Sequence, residues 1–148
     1  YLSNLKLGRR EPAMLAFGKV VQQGMSAKRL AVKFNFQVGS AGLAKDDNAY
    51  DRWLKELALQ TARFAKANST CVELGGHTGR AGSEALNERL SLQRAEYVRQ
   101  RLIAENRSLA SQMTARGYGS SEALVATAQD DASDALDRRI ELKPLPCT

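Results

Sequence analysis

Apolar residues recur at helical spacing in three stretches of the chain, at 12–24, 46–68 and 83–105. Each stretch has residue types that favour helix ends, because proline fits the first helical position, short polar side chains cap free backbone amides and glycine stops a helix. These residues are Pro12 and Gly24, Asp46 or Asp47, and Ser83 followed by Glu84. The pattern therefore predicts a short leading helix and two long ones.

Strands are predicted where apolar and polar residues alternate, or where a short apolar run is bounded by turn residues. Alternation is clear at 30–36 and at 138–144, which ends at a proline, and shorter runs at 71–74 and 112–119 end in glycines. The small, acidic stretch 120–137 is predicted to be a loop with at most a helical turn or two. Strands that alternate with long helices predict an α/β sandwich, in which helices cover one face of a single sheet.

The length and composition fit one globular domain. The chain has 148 residues, of which 43% are hydrophobic and 26% charged, and no stretch approaches the roughly 18 consecutive apolar residues of a membrane span. We expect a leading segment at 1–29 and the domain at 30–148. Because the chain begins at Tyr1 instead of Met, we also expect a processed or excised fragment, with any anchor or targeting segment upstream.

The net charge of +6 raises the question of an anionic partner. The basic residues are spread along the chain, and aromatic residues make up only 6%, so the basic strand with interleaved aromatics that binds RNA is missing. This distribution argues against a nucleic-acid partner.

The two cysteines, Cys71 and Cys147, lie far apart in sequence. Their spacing matches no zinc or redox motif, and two ligands without a second histidine do not close a metal site. They are either unrelated buried thiols or one disulfide, and a disulfide implies an oxidising compartment such as the periplasm.

The candidate chemistry centres on Arg94. An α-helix turns 100° per residue, so Asn87, Ser91, Arg94 and Val98 share one face, and Arg94 lies at the edge of the face that points to the sheet. A guanidinium out of water requires a partner. That partner is either internal, for instance a carboxylate of the chain, or the carboxylate of a ligand held in a bidentate fork.

The preceding stretch, GGHTGRAG at 75–82, has glycines that allow backbone amides to approach such a ligand, although tight turns alone explain them equally well. Its histidine, His77, is the only one in the chain and has no serine, cysteine or acid in a triad arrangement, so we interpret it as a structural hydrogen-bonding residue. No credible active site is found, and the sequence predicts a non-catalytic protein without a cofactor.

Several ordered motifs resemble one family. GGHTGRAGSEALNERLSLQRAEYV resembles the signature of the OmpA-like peptidoglycan-associated domain, the type found in OmpA, Pal and MotB. RGYGSS, DALDRRIEL and VKFNFQVGSAGL are similar to other elements of that family in the right order, so that the resemblance covers about residues 30 to 143. It implies a βαβαβαβ sandwich with a mixed four-stranded sheet, which agrees with the pattern above.

The resemblance also implies a ligand, the diaminopimelate side chain of the peptidoglycan stem peptide. In the family an aspartate after Gly-His-Thr binds the ammonium of this ligand and the arginine of Arg-Ala binds its carboxylate. The arginine corresponds to Arg94, but the aspartate position is Gly79. Asn87, Thr78 and the loop amides are expected to support the ligand, and Arg138 of the DRR element completes the candidate set.

Other departures occur near the end of the chain, where the family's asparagine is Asp137 and its Gly-Arg pair is Ser133 and Asp134. The acidic stretch 130–137 is a candidate replacement for the missing carboxylate, although acidic loops are usually only solvated.

In the family fold the strands that carry the two cysteines are antiparallel neighbours, so the start of one meets the end of the other. The resemblance therefore implies a Cys71–Cys147 disulfide.

These inferences predict a periplasmic, cell-wall-associated domain anchored to the outer or inner membrane of a Gram-negative bacterium. The partners are expected to be peptidoglycan and other envelope proteins. The alternative is an envelope interaction or assembly scaffold that has lost peptidoglycan binding together with the aspartate.

Overall fold

The computed structural model describes residues 10–28, 30–32, 51–79, 83–121 and 139–147. This part of the chain contains three α-helices and four strands. In chain order the elements are α1 (Arg10–Ser26), β1 (Leu30–Val32), α2 (Asp51–Asn68), β2 (Cys71–His77), α3 (Glu84–Glu105), a 3₁₀ helix (Arg107–Ser111), β3 (Met113–Gly117) and β4 (Arg139–Leu145).

The strands form one mixed sheet in the order β1-β4-β2-β3. β2 and β3 run parallel, whereas β4 is antiparallel to both β2 and β1. The predicted α+β sandwich with a mixed four-stranded sheet is therefore confirmed.

One face of this sheet packs against all three helices. Val72 and Leu74 of β2 and Ile140 and Leu142 of β4 point to that side, because successive strand residues point to opposite faces. They join one apolar cluster with residues from every helix: Val21 and Met25 of α1, Leu54, Leu57 and Ala58 of α2, and Ala95, Val98 and Leu102 of α3. None of the helices in the described part of the chain is long and apolar enough to cross a membrane.

The helix ends follow the predicted signals where they are described. Ser83 is the N-cap of α3 and its hydroxyl accepts a hydrogen bond of 3.2 Å from the amide of Leu86, as the capping prediction requires. α1 extends past the predicted stop, since Gly24 lies inside it. The predicted starts of the second helix at Asp46 or Asp47 and the second half of the strand at 30–36 lie outside the described residues, as does most of the predicted loop at 120–137.

One strand is longer than predicted. β2 continues through Gly75, Gly76 and His77, which the sequence assigned to a loop, whereas β4 lies within one residue of the predicted 138–144. The glycines remain in the strand because β2 is paired on both sides there, with Gly76 opposite Gly117 of β3 and Ile140 of β4. The 3₁₀ helix was not predicted at all.

The Cys71–Cys147 disulfide is present, with a Cα–Cα distance of 5.0 Å. Cys71 opens β2 and pairs in register with Leu145, the last residue of β4, so the antiparallel arrangement brings the chain end back to it. The hydroxyl of Thr70 donates a hydrogen bond of 2.6 Å to the carbonyl of Leu145 at the same place. The disulfide closes a loop of 76 residues, and this restriction of the unfolded chain stabilises the fold by about 4 kcal/mol.

Candidate functional site

The close approach of α3 to the sheet defines the end of the molecule where the candidate site lies. A Cβ atom on Gly76 would be 2.0 Å from the carbonyl oxygen of Ser91, and one on Gly117 would be 2.5 Å from that of Glu88. Because Gly76 and Gly117 are cross-strand partners, they form a notch into which the backbone of α3 fits. Gly76 is thus required for helix packing, and the tight-turn interpretation is wrong for this position.

Gly75 faces the opposite side of the sheet, where the ring of Tyr118 lies across it. A Cβ on Gly75 would be 2.9 Å from Cε2 of Tyr118. The Tyr118 ring also stacks on His77, with centroids 5.0 Å apart and planes 3° from parallel, and its hydroxyl donates a 2.5 Å hydrogen bond to Oε1 of Glu73. The guanidinium carbon of Arg116 lies 4.7 Å from the centre of the Tyr118 ring.

His77 therefore belongs to a polar cluster on this sheet face. It is 3% exposed, and its Nε2 lies 3.6 Å from Oε1 of Glu141, whose other carboxylate oxygen accepts a 2.6 Å hydrogen bond from Nε of Arg139. This placement agrees with a structural role for His77. Sequence reasoning missed Tyr118, Arg139 and Glu141 as its neighbours, although the register of alternating strands would have placed 139 and 141 on the same face.

Thr78, Gly79 and Asn87 are brought together beyond the end of β2. The hydroxyl of Thr78 donates a 3.0 Å hydrogen bond to the carbonyl oxygen of Gly79, and Nδ2 of Asn87 donates to the same oxygen at 3.3 Å. Thr78 and Asn87 are 5% and 7% exposed. The segment after β2 is therefore tied to the first turns of α3 through an amide side chain.

Arg94 lies on the same helix face as Asn87, two turns further along α3, and is 7% exposed. Ser91 and Asn87 lie on the same buried face of the helix, in the turns that precede Arg94. Arg94 is already engaged in an interaction within the chain, so a ligand would have to share its five donors. The predicted burial of this arginine at the edge of the sheet-facing surface is confirmed.

The remaining candidates lie outside the described residues: Arg138, the loop at 80–82 and the acidic stretch at 130–137. Among the residues that are described, no group of three or more histidine, cysteine or carboxylate side chains could hold a metal ion.

A turn at 118–121 is the part of the site that sequence reasoning missed. The amide of Thr78 donates a 2.8 Å hydrogen bond to the carbonyl of Gly119, and the amide of Gly119 donates at 3.0 Å to the hydroxyl of Ser91. The turn thus connects the segment after β2 with α3. The glycines at 117 and 119 signalled the end of a strand in the sequence, but the partners of the turn lie far away along the chain.

The fold is that of an α+β domain, an open sheet covered by helices on one face. A buried arginine and a buried asparagine lie on the helix that packs against the glycine-rich end of β2. A sequence profile of the OmpA family matches residues 35–137, and the chain belongs to that family. Domains of this type are non-catalytic, which confirms the prediction that the chain is not an enzyme.

Two named proteins illustrate the relationship. Outer membrane porin F of Pseudomonas fluorescens is 37% identical over 112 residues, which are 76% of this chain but 31% of the porin, so the chain spans about a third of that relative. The crystal structure of the peptidoglycan-associated lipoprotein from Burkholderia pseudomallei is similar at 25% identity, with a TM-score of 0.54 over 79% of this chain and 89% of the other.

The fold alone is shared more widely. The cell wall anchor of the type VI secretion system (T6SS) from Pseudomonas aeruginosa matches with a TM-score of 0.55 and 19% identity, over 89% of this chain and 97% of the anchor.

Proposed function

We propose that the chain is a periplasmic, non-catalytic domain that associates with peptidoglycan through the carboxylate of a stem-peptide diaminopimelate. Arg94 binds that carboxylate, and Asn87, Thr78, the backbone at Gly79 and Arg138 support it. Membership of the OmpA family supports this choice of ligand, as does the similarity to a Burkholderia lipoprotein that is peptidoglycan-associated by name.

One observation carries the proposal. Asn87 and Arg94 lie on one buried face of α3, and Nδ2 of Asn87 donates a 3.3 Å hydrogen bond to the carbonyl of Gly79, so the segment after β2 is held to the helix face that carries Arg94. A guanidinium presents its donors in a fixed planar geometry, which is suited to bidentate binding of a carboxylate.

Affinity is expected to be weaker than in relatives with the aspartate. Gly79 supplies no negative charge for the ammonium group of the ligand, and the loss of one half of a zwitterion contact costs on the order of 2 to 4 kcal/mol. The acidic stretch at 130–137 is the candidate that would compensate.

The second candidate function follows from the same glycine. A chain that keeps the OmpA fold but lacks the carboxylate at Gly79 is also suited to bind other envelope proteins without binding muropeptides. In that case Arg94 serves only to stabilise the domain.

The proposed location is the periplasm, with attachment to the outer or inner membrane through a segment before the domain at 30–148. The Cys71–Cys147 disulfide supports an oxidising compartment, because such bonds do not persist in a reducing one. Porin F, a relative of which this chain spans 31%, is an outer membrane protein by name.

The test is a calorimetric titration of the purified chain with a muropeptide that contains diaminopimelate. Arg94→Ala is expected to weaken binding roughly thirtyfold or more, since truncation of one partner of a buried charge pair costs about 2 to 5 kcal/mol. Arg89→Ala is the matched control, because Arg89 is an exposed arginine on the same helix. Equal affinity of the two variants would contradict the role of Arg94.

A second variant separates the two candidate functions. Gly79→Asp restores an acid at the position where the family has one and is expected to strengthen binding about tenfold or more. If the parent chain does not bind and Gly79→Asp does, the scaffold function is favoured. If neither binds, peptidoglycan is not the ligand.

A further inference from the structure

Every backbone amide of the turn at 118–121 donates a hydrogen bond within the protein. The amides donate these hydrogen bonds to two elements, β2 and α3, and to the turn itself. The acceptors are the carbonyl of Gly76 for Tyr118 (2.9 Å), the hydroxyl of Ser91 for Gly119 (3.0 Å), Oε1 of Glu84 for Ser120 (3.1 Å) and the carbonyl of Tyr118 for Ser121 (3.1 Å). Two of these acceptors are side chains of α3, so the helix fixes the place of the turn.

The residue at the centre of this turn has to be glycine. Gly119 has a φ of +55°, in the left-handed region that side chains disfavour. A Cβ there would also lie 2.4 Å from Oε1 of Glu84 and 3.0 Å from Cγ of Glu88. The turn is therefore pressed against the first two turns of α3.

The turn transmits this position to the candidate site. The carbonyl of Gly119 accepts a 2.8 Å hydrogen bond from the backbone amide of Thr78. The carbonyl of Gly79, the residue after Thr78, accepts hydrogen bonds from the hydroxyl of Thr78 and the side-chain amide of Asn87. The backbone after β2 is thus located relative to α3 by two routes. One is direct, through Asn87, and the other runs through the turn.

Ser91 is the buried residue of the route that runs through the turn. Its side chain is 0% exposed, and its hydroxyl hydrogen is directed to the carbonyl of Glu88 at 2.9 Å, which leaves a lone pair aimed at the amide of Gly119. Glu84 is the exposed residue of this route. One of its carboxylate oxygens accepts a hydrogen bond from the amide of Ser120, and the other accepts one from the hydroxyl of Ser120.

From these contacts we propose that Ser91 and Glu84 are positioning residues of the ligand site. They fix the position of the turn at 118–121. The turn then fixes the position of the Thr78 amide, and thereby that of the neighbouring carbonyl of Gly79. Neither side chain has to touch the ligand. The effect on affinity rests on the proposed function, whereas the effect on the backbone does not.

The first test measures amide hydrogen exchange without ligand. In Ser91→Ala, Gly119 loses its acceptor, and the amide of Thr78 is expected to exchange at least about tenfold faster. Thr70→Val is the matched control, because it removes a hydroxyl at the other end of the sheet that donates to the carbonyl of Leu145 at 2.6 Å and to that of Cys71 at 3.3 Å. Unchanged protection of Thr78 in Ser91→Ala would overturn the proposal, whatever the ligand.

The second test uses a pair of variants at Glu84 and the diaminopimelate muropeptide. Glu84→Ala is expected to weaken binding roughly threefold to tenfold and Ser91→Ala about tenfold. Glu84→Gln, which can still accept from the amide of Ser120, is expected to restore most of the affinity. Thr70→Val is expected to bind like the parent chain even if its stability falls.

The outcomes separate the two proposals. If the parent binds and Arg94→Ala does not, but Ser91→Ala and Glu84→Ala bind like the parent, the positioning role is wrong and the proposed function stands. If the parent does not bind the muropeptide at all, the proposed function fails, and the exchange of the Thr78 amide alone decides the positioning role.

Discussion

The two ends of strand β2 are held in different ways. At its first residue, Cys71 is bonded to Cys147, and Thr70 beside it is hydrogen-bonded to Leu145. At its other end, Gly76 lies against the backbone of α3, His77 stacks on Tyr118, and Thr78 and Gly79 take part in hydrogen bonds to the turn at 118–121 and to Asn87. A covalent bond fixes the end without candidate chemistry, whereas close packing and a polar network shape the end that carries it.

This difference indicates a division of labour within one strand. The disulfide stabilises the domain mainly through the unfolded chain, so its effect does not depend on the detailed shape of either end. The glycine notch and the turn at 118–121 instead determine where backbone groups lie, and small changes there should alter the site before they unfold the protein.

The largest effect on stability is expected from removal of the disulfide. Replacement of Cys71 and Cys147 by alanine should lower the free energy of unfolding by about 4 kcal/mol, since the unfolded chain regains the freedom of a 76-residue loop. Urea denaturation followed by circular dichroism measures this change. Muropeptide affinity should stay within about twofold of the parent, and a larger loss would show that the two ends of β2 are coupled.

A somewhat smaller loss is expected at the glycine notch. The Cβ of Gly76→Ala would be 2.0 Å from a backbone oxygen of α3, so the helix must move, at a cost of about 3 kcal/mol. Gly18→Ala in α1 is the control, because the nearest atom there is the end of the Gln60 side chain at 3.0 Å. The control should change stability by less than about 1 kcal/mol, and equal losses in the two variants would contradict the notch.

A third effect concerns the sheet face away from the helices. Tyr118→Phe removes the hydrogen bond to Glu73, which is 8% exposed, and should cost about 1 to 2 kcal/mol. Tyr97→Phe, which removes a partly buried contact with Arg101 on α3, should cost less than about 1 kcal/mol. The two unfolding curves, measured side by side, test whether the cluster around His77 stabilises the domain more than the Tyr97–Arg101 pair does.

Local sequence signals were sufficient for most of the fold. The cap at Ser83 and the alternation in 138–144 specify their elements within a few neighbouring residues, so α3 and β4 were predicted nearly at their observed bounds. β2 was predicted too short because glycine usually marks a turn. The requirement for glycine at position 76 comes from α3, which passes over it only in the folded chain.

The candidate site was predictable only in part. The helical period placed Asn87 and Arg94 on one face, and the structure confirms that both are buried there. The same period could not show that Ser91 and Glu84 bind a turn about thirty residues further along, because those contacts join side chains to backbone groups. The helical period describes side chains within one helix, whereas these contacts depend on which strands lie next to each other in the sheet.

The most direct test of the central claim is a chemical-shift titration of the isotope-labelled chain with the diaminopimelate muropeptide. We predict that the shifts will cluster at the amides of Thr78 and Gly79, the side-chain amide of Asn87 and the guanidinium of Arg94. Saturable shifts confined to α1 and α2, with these groups unmoved, would contradict a carboxylate-binding site at the end of β2.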